Sequence, residues 1–187
     1  DCTLDDLLEK MPGPDFPTGA LLCGTEGIRS YFATGRGHLT LRARASFEET
    51  KRGMRIVVSE IPYQVNKSVL LERMADLVRD GRIQGISDLR DESNREGMRI
   101  VVELKRDASE DIILNQLYKM TPLQTTFAVN LLALVGGRPQ TLSIKQALRH
   151  FIEFRKEVVI RRAIYDLARA EERAHILEGF VVALDNL

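Results

Sequence analysis

The sequence predicts an α+β fold in which a mixed or antiparallel sheet with helices is followed by one long coiled-coil helix. Residues 38–48 alternate apolar and polar side chains, as a half-buried strand does. The hexapeptide GMRIVV occurs twice, at 53–58 and 97–102, and a helical pattern follows each copy. From Ser143 a helical pattern runs for 45 residues, whereas an average helix has about 10–14.

Composition limits the class of protein. The 187 residues are 44% hydrophobic and 29% charged, which is typical of a globular chain of one or two domains. The formal net charge is zero, with 27 basic and 27 acidic residues, so a uniformly basic nucleic-acid coat is excluded. Cys2 and Cys23 have no metal-ligand spacing and favour a reducing compartment. No apolar run is long enough for a membrane span, and we expect a cytoplasmic piece of a longer protein.

The first elements follow from periodicity. Residues 3–11 have helical spacing of leucines and end at the proline-rich segment 11–17. The strand over 38–48 places Leu39 and Leu41 on its inner face and arginines on its outer face. A charged turn around 51–53 then leads to MRIVVSEI at 54–61, which predicts a hairpin.

The following elements predict a single sheet. Asn66 can cap a helix over about 67–80, because Gly81 stands just past its last apolar position. Strands GISDLRD and MRIVVELK, a helix over about 110–120 capped by Ser109, and the apolar strand VNLLALV follow in turn. The order from Met54 is therefore βαββαβ, which suggests a ferredoxin-like or related split βαβ sheet with helices on one face.

The long helix carries a heptad in its second half. Eight apolar residues are spaced alternately three and four apart: Ile160, Ala163, Leu167, Ala170, Ala174, Leu177, Val181 and Leu184. Such a stripe needs a partner helix, either a returning helix or a second chain. We therefore divide the chain into a helix end and proline-rich connector (1–18), an α+β domain (19–142) and half of a coiled coil (143–187).

Motifs for several chemistries are missing or weak. The sequence has no GxxxxGK[ST] phosphate loop and no GxSxG elbow, so nucleotide binding and serine hydrolysis are not expected. His150 and His175 are interpreted as helix-surface residues. The carboxylates of Asp88, Asp91 and Glu92 could hold Mg²⁺, but a solvated strand end before a turn is the favoured interpretation.

Positive charge is concentrated in two regions. Residues 27–47 contain Arg29, Arg36, Arg42 and Arg44 and no Asp or Glu, which gives +4. Residues 138–162 contain seven basic and two acidic side chains, which gives +5. Glycines on both sides of Arg36 allow the backbone to approach a phosphate closely. A DNA-binding face and a merely solvated strand face both remain open on this pattern alone.

Long colinear phrases across the whole chain carry a family resemblance. They include PGPDFPTGA, TGRG, EIPYQVNKSVLLERMADL, GMRIVVELKRDA and LYKMTPLQTTFAVNLLALVGGRP. The chain resembles the A subunits of bacterial DNA gyrase, which are type IIA topoisomerase cleavage subunits. The A subunits of topoisomerase IV have similar phrases, but EIPYQVNK and GMRIVVELKRDA look more like gyrase.

The resemblance implies an architecture and an enzyme. Residues 19–142 would be the tower domain beside the winged-helix DNA gate, and 143–187 the first half of an antiparallel coiled coil. The family's catalytic tyrosine follows an Arg and precedes Thr-Glu, and none of Tyr31, Tyr63, Tyr118 and Tyr165 has these neighbours. We therefore expect no catalytic residue and no bound cofactor in this chain. ATP and Mg²⁺ would be used by the gyrase B protein, the partner in an A2B2 enzyme that changes DNA supercoiling.

The resemblance also implies duplex DNA as the ligand. We expect Arg36, Arg42, Arg44 and Lys67 to contact phosphates, with Arg29 and His38 as weaker candidates. Relatives often have Lys where His38 stands, so a full positive charge is not expected there at pH 7. Four contacts predict that log K falls with log salt at a slope of about −3.6.

Two other function classes remain as alternatives. One is a structural module that oligomerises through the heptad of 160–184, with merely solvated basic regions. The other is an RNA-binding βαββαβ module. The RNA alternative is weakened because the two GMRIVV strands contain no aromatic residue for base stacking.

Overall fold

A computed structural model describes residues 2–50 and 53–186 and confirms the α+β class. The predicted charged turn includes Lys51 and Arg52, which lie outside these residues. The helices of the described part are α1 (Leu4–Lys10), α2 (Glu26–Thr34), α3 (Lys67–Arg79), α4 (Glu110–Met120) and α5 (Ile144–Asp185). Its strands are β1 (Leu21–Cys23), β2 (Arg36–Arg42), β3 (Arg44–Thr50), β4 (Gly53–Glu60), β5 (Ile86–Asp91), β6 (Ile100–Leu104), β7 (Gln124–Asn130), β8 (Leu132–Val135) and β9 (Arg138–Thr141).

Helix α1 begins with a capping box, which explains why the predicted N-terminal helix is confirmed. The Asp6 amide donates to Thr3 Oγ1 over 3.2 Å, and the Thr3 amide donates to Asp6 Oδ2 over 2.7 Å. These two bonds satisfy amides that have no partner within the helix. The leucines Leu4 and Leu8 pack against a small core that also contains Phe32.

The first sheet contains β1, β2 and β7 in that order, and all its pairs are antiparallel. Helix α2 packs on one face of this sheet, where Ile28, Tyr31 and Phe32 contact Leu39. The approach is close: a Cβ atom added to Gly27 would lie 2.0 Å from the His38 carbonyl oxygen. The sequence pattern predicts neither β1 nor α2, because both are short and their burial depends on this packing.

The second sheet has the order β3-β4-β6-β5, again with antiparallel neighbours. The two GMRIVV copies pair with each other, so that Val57 is opposite Val101 and Val58 is opposite Ile100. Strands β4 and β5 both run antiparallel to β6 and are therefore parallel to each other, with α3 connecting them. This arrangement confirms the predicted split βαβ unit.

Two predicted strands are each divided between sheets, which corrects the single βαββαβ sheet. The strand predicted over 38–48 breaks at Ala43, so β2 belongs to the first sheet and β3 to the second. The fully buried Ala43 donates its amide to the Leu123 carbonyl over 2.7 Å. The strand predicted over 129–135 breaks at Leu131, and β7 joins the first sheet. In a single βαββαβ sheet the final strand would lie beside β4, but in this structure β3 occupies that position.

Helices α3 and α4 cover one face of the second sheet, as predicted. Their buried side chains form one core with alternate residues of β4 and β6; the members with at most 3% exposure include Ile56, Val58, Leu70, Met74, Leu77, Ile100, Val102, Ile113 and Leu117. Each such side chain contributes about 1.5–3 kcal/mol by burial. The predicted bounds of α3 are confirmed, because Asn66 Oδ1 accepts from the Ser68 and Val69 amides and Gly81 has a φ of +70°.

Helix α5 confirms the predicted long helix, with 42 residues. Ser143 and Gln146 form a capping box at its N-terminus. The eight heptad residues of 160–184 are all exposed. Pairing of this stripe with a partner helix stays a prediction. No helix in the described residues has the length and apolar character needed to cross a membrane.

Candidate nucleic-acid interface

The first sheet has an outer face that carries positive charge. Successive side chains of a strand point to opposite faces, so Leu39 and Leu41 point to the core while Arg36, His38 and Arg42 point outward. Directly opposed residues of neighbouring strands share a face. We define the open basic face as these outward residues and their cross-strand neighbours: Leu21, Cys23, Arg36, His38, Thr40, Arg42, Gln124, Thr126, Ala128 and Asn130. This set contains no Asp or Glu.

Arg36 stands at the start of β2, where its backbone is held firmly. The hydroxyls of Ser30 and Thr34 both donate to the Arg36 carbonyl over 3.0 Å, and the Arg36 amide donates to Thr34 Oγ1 over 3.2 Å. Gly35 permits the preceding turn with a φ of +79°. The Arg36 side chain is exposed and has no ion-pair partner within the described residues. An exposed guanidinium without an ion-pair partner can bind an external anion.

Arg42 stands at the other end of β2, and its guanidinium is ordered by neutral groups. Its Nε donates to Gln124 Oε1 over 2.7 Å, and its Cζ lies 4.8 Å from the centre of the Tyr118 ring. The Tyr118 hydroxyl donates to the Ala43 carbonyl over 3.1 Å. Burial raises the Tyr118 pKa, and the positive charge of Arg42 opposes that rise. Neither terminal nitrogen of Arg42 has a hydrogen-bond acceptor in the described part of the protein.

Arg44, two residues further along, is paired within the chain. Its Nε lies 3.1 Å from Glu60 Oε1. The Ala20 amide donates to the other carboxylate oxygen over 2.6 Å and, together with Arg44, lowers the Glu60 pKa. An external phosphate must therefore compete with Glu60 for this guanidinium.

Lys67 lies at the first turn of α3, away from the open basic face. Its Nζ lies 2.6 Å from Asp91 Oδ2 at the end of β5. Hydrogen bonds from Lys67 and then Ser93 lower the Asp91 pKa to about 2. The structure thus brings Arg36, His38 and Arg42 together on one face, leaves Arg44 just beyond it, and places Lys67 in the unit of the second sheet.

The weaker candidate Arg29 is also paired, because its Nη2 lies 2.6 Å from Asp5 Oδ1 of α1. In the second basic region, Arg138 lies in the β8–β9 hairpin and the other basic residues lie on α5. Arg161 pairs with Glu157 one turn away. Apart from Arg138, this region therefore lies on a helix surface that also carries Glu153 and Glu157.

The open face of the second sheet also carries arginines, but these arginines are paired with carboxylates. Glu48 accepts from Arg55 Nη2 over 2.6 Å and from Arg99 Nη2 over 2.8 Å. Arg90 donates to Glu103 and Asp88 over 2.7 Å each. We call the following linked set the ion-pair network: Glu48, Arg55, Asp88, Arg90, Glu92, Arg99 and Glu103. The buried side chains Val57 and Val101 point to the same face of the second sheet as Arg55 and Glu103 of the network.

The ion-pair network shows what the acidic group at 88–92 does. Asp88 and Glu92 both bond Arg90, while Asp91 bonds Lys67. The network lowers the pKa of Glu48 to about 2, through hydrogen bonds from Arg99 and then Arg55. The described residues contain no group of three or more side chains placed to hold a metal ion.

Sequence reasoning missed the two residues that order Arg42. Gln124 and Tyr118 lie 82 and 76 positions after it, and no local pattern connects them. The available signal was the outward position of Gln124 in β7, which could be used only after the pairing of β7 with β2 was known.

Comparisons with known proteins identify the family of this chain. The family model for the DNA gyrase/topoisomerase IV A subunit matches residues 1–187. The DNA gyrase A subunit from Granulibacter bethesdensis is 54% identical over 188 residues, covering 100% of this chain and 20% of the relative. Its counterpart from Halalkalibacterium halodurans is 54% identical over 187 residues and that from Clostridium acetobutylicum over 188, covering 22% and 23% of those relatives. The chain thus spans about a fifth of the length of these curated relatives.

Proposed function

The chain belongs to the A-subunit family of DNA gyrase and topoisomerase IV, and we propose that it works as part of a DNA-cleaving protein that changes DNA supercoiling. Within that protein, the open basic face would hold an arm of the duplex by its phosphates. The main observation behind this proposal is the open basic face itself. Its residues include Arg36 and Arg42, which have no carboxylate partner in the described part of the chain, and they include no carboxylate.

Phosphate contacts of this kind position a duplex without reading its sequence. Bending a duplex of 20–30 base pairs costs on the order of 1–6 kcal/mol by smooth elastic estimates, and contacts along the arms can offset that cost. Arg36 and Arg42 are six residues apart on β2, a span of about 20 Å at the rise of a strand. Arg44 and Lys67 can add contacts if phosphate displaces Glu60 and Asp91.

The same proposal assigns the two main segments of the chain to parts of the family's architecture. Residues 19–142 form the tower domain, and 143–187 form the first half of an antiparallel coiled coil. The exposed heptad from Ile160 to Leu184 supports the second assignment, since an unpaired apolar stripe of this length is unfavourable in water.

Catalysis is assigned to the rest of the enzyme. None of the four tyrosines has the Arg before and Thr-Glu after that mark the family's nucleophile, so the chain alone should not cleave DNA. In the proposed A2B2 assembly, which contains a second copy of the A protein, the gyrase B protein uses Mg²⁺ and ATP. The assembly would operate in the bacterial cytoplasm.

A salt titration with a duplex of about 30 base pairs tests the DNA assignment. Each phosphate contact contributes roughly −0.9 to the slope of log K against log salt. We expect a slope between about −1.8, for Arg36 and Arg42 alone, and about −3.6, for all four basic residues. Duplexes of unrelated sequence should bind equally well. Binding that does not respond to salt would contradict the proposal.

A structural oligomerisation module is the second candidate, favoured by the exposed heptad alone. Sedimentation at low and high salt, with and without duplex, separates the two functions. Self-association without duplex binding would support the module. An assay of whether the complete enzyme supercoils or decatenates DNA would distinguish gyrase from topoisomerase IV.

A further inference from the structure

We propose that Gln124 and Tyr118 are positioning residues that hold the Arg42 guanidinium ready for a DNA phosphate. This inference rests on the proposed function of the open basic face. It assigns a role to two neutral residues that bear no charge for DNA and lie in segments far from β2 in sequence.

Gln124 fixes one edge of the guanidinium. It stands directly opposite Arg42 in the pairing of β2 with β7, and its Oε1 accepts from Arg42 Nε over 2.7 Å. Because the guanidinium is planar, fixing Nε also fixes the direction of the edge formed by the two terminal nitrogens. That edge has no acceptor among the described residues, and its two parallel N–H groups can make a two-point contact with a phosphate.

Tyr118 supplies the second contact. Arg42 Cζ lies over its ring, 4.8 Å from the ring centre, so the positive charge packs against the aromatic face. The ring is held in turn, since its hydroxyl donates to the carbonyl of Ala43 over 3.1 Å. Ala43 is fully buried at the junction of β2 and β3, and its amide donates to the Leu123 carbonyl, so the tyrosine hydroxyl is bonded to a buried and hydrogen-bonded part of the chain.

The consequence is an arginine that loses little freedom when it binds. Immobilising a long side chain normally weakens association, and prior ordering removes part of that cost. Neither Gln124 nor Tyr118 is a carboxylate, so the full positive charge of Arg42 remains available to a phosphate. Arg44 differs because Glu60 orders and also neutralises it. Arg36 differs because no side chain in the described residues orders its guanidinium.

The main variant is Gln124→Met, which keeps the length of the side chain and removes the acceptor oxygen. We expect the Kd for a duplex of about 30 base pairs to rise about three- to tenfold, with the salt slope unchanged because no charge is lost. Gln84→Met, the same exchange at an exposed glutamine outside the open basic face, is the matched control and should leave the Kd within about twofold.

A double-mutant cycle separates positioning from a general structural effect. Gln124→Met should have no further effect on the Kd in an Arg42→Ala background, but its full effect in an Arg36→Ala background. Tyr118→Leu should behave in the same way. Tyr118→Phe, which keeps the ring, should lose less affinity than Tyr118→Leu. Circular dichroism and thermal unfolding of each variant verify that the fold is retained.

The outcomes distinguish this inference from the proposed function. If Arg42→Ala weakens binding and makes the salt slope less negative while Gln124→Met changes nothing, the positioning role is overturned and DNA binding stands. Equal effects of Gln124→Met in both arginine backgrounds would also overturn it. If wild-type binding does not depend on salt and Arg42→Ala has no effect, the proposed function itself fails.

Discussion

The open faces of the two sheets both carry arginines, but in opposite chemical situations. On the first sheet, Arg36 and Arg42 have no carboxylate among the residues that share their face. On the second sheet, Arg55, Arg90 and Arg99 each bond at least one carboxylate within 2.8 Å.

The difference comes from cross-strand neighbours. Arg42 is opposite Gln124 in β7, whereas Arg55 is opposite Glu48 on one side and Glu103 on the other. A guanidinium that already bonds carboxylates gains less from a phosphate, because it must first give up an existing charge-assisted bond. The position of an arginine in the sheet register therefore decides whether its guanidinium is neutralised within the chain or left available to an external anion.

The largest expected effect comes from removing the two available arginines together. Arg36→Ala with Arg42→Ala should raise the duplex Kd about a hundredfold, since each charged contact contributes roughly 1.5 kcal/mol, or about tenfold. The salt slope should become less negative by about 1.8. The measurement is fluorescence anisotropy over a salt series.

The matched control removes the same charge from the second sheet. Arg55→Ala with Arg99→Ala should change the duplex Kd only slightly, because these side chains face Glu48. Equal losses from both pairs would mean that total charge, rather than the arrangement of each face, controls binding.

The next effect concerns stability. Glu48→Ala should lower the urea midpoint, because it leaves Arg55 and Arg99 without their shared acceptor. The neighbouring exposed Glu49 is the control, and Glu49→Ala should change the free energy of unfolding by no more than about 0.5 kcal/mol. Duplex binding should be unaffected by either change. A similar midpoint for both variants would show that the ion-pair network does not stabilise the sheet.

A smaller effect is a gain of binding at His38, which stands between the two available arginines on β2. His38→Lys should increase duplex affinity several-fold at pH 7.5 and make the slope more negative by up to about 0.9, because lysine stays charged at neutral pH. Thr126→Lys, on the same face of β7, tests whether any added charge suffices. No gain from His38→Lys would place this part of the face away from the duplex.

The most gradual effect is on acid stability. The pKa of Glu48 is lowered from 4.5 to about 2 and that of Asp91 from 3.8 to about 2. Groups with a lowered folded pKa contribute stability above their unfolded pKa and lose it as pH falls through the folded value. Unfolding temperature should therefore fall as pH decreases from about 5 to 2, and Glu48→Gln should flatten that fall. An identical pH profile for Glu48→Gln would contradict this assignment.

Local signals were sufficient for much of the fold. The caps Thr3, Asn66 and Ser143 lie within three residues of the amides that they bond, so the starts of α1, α3 and α5 could be read directly. Alternation also marked β2 and β3 as strands. It could not show that the chain changes sheets at Ala43, because the alternation continues across the break.

The placement of the candidate site residues could be predicted in part, and their contact with DNA stays a prediction. Sequence reasoning identified Arg36 and Arg42 from a stretch without acidic residues, and that stretch does form the outer face of β2. It treated Arg44 and Lys67 as equivalent to them, although their carboxylate partners Glu60 and Asp91 lie 16 and 24 positions away.

By itself, the sequence determined the α+β class, the long helix with its heptad and the family to which the chain belongs. These follow from periodicity and phrases that lie within short stretches of chain. Only the tertiary structure decided which strands share a sheet, which arginines are neutralised and which neutral residues order Arg42. Those properties depend on partners that are distant in sequence, and ion pairs and strand pairs form wherever folding brings complementary groups together.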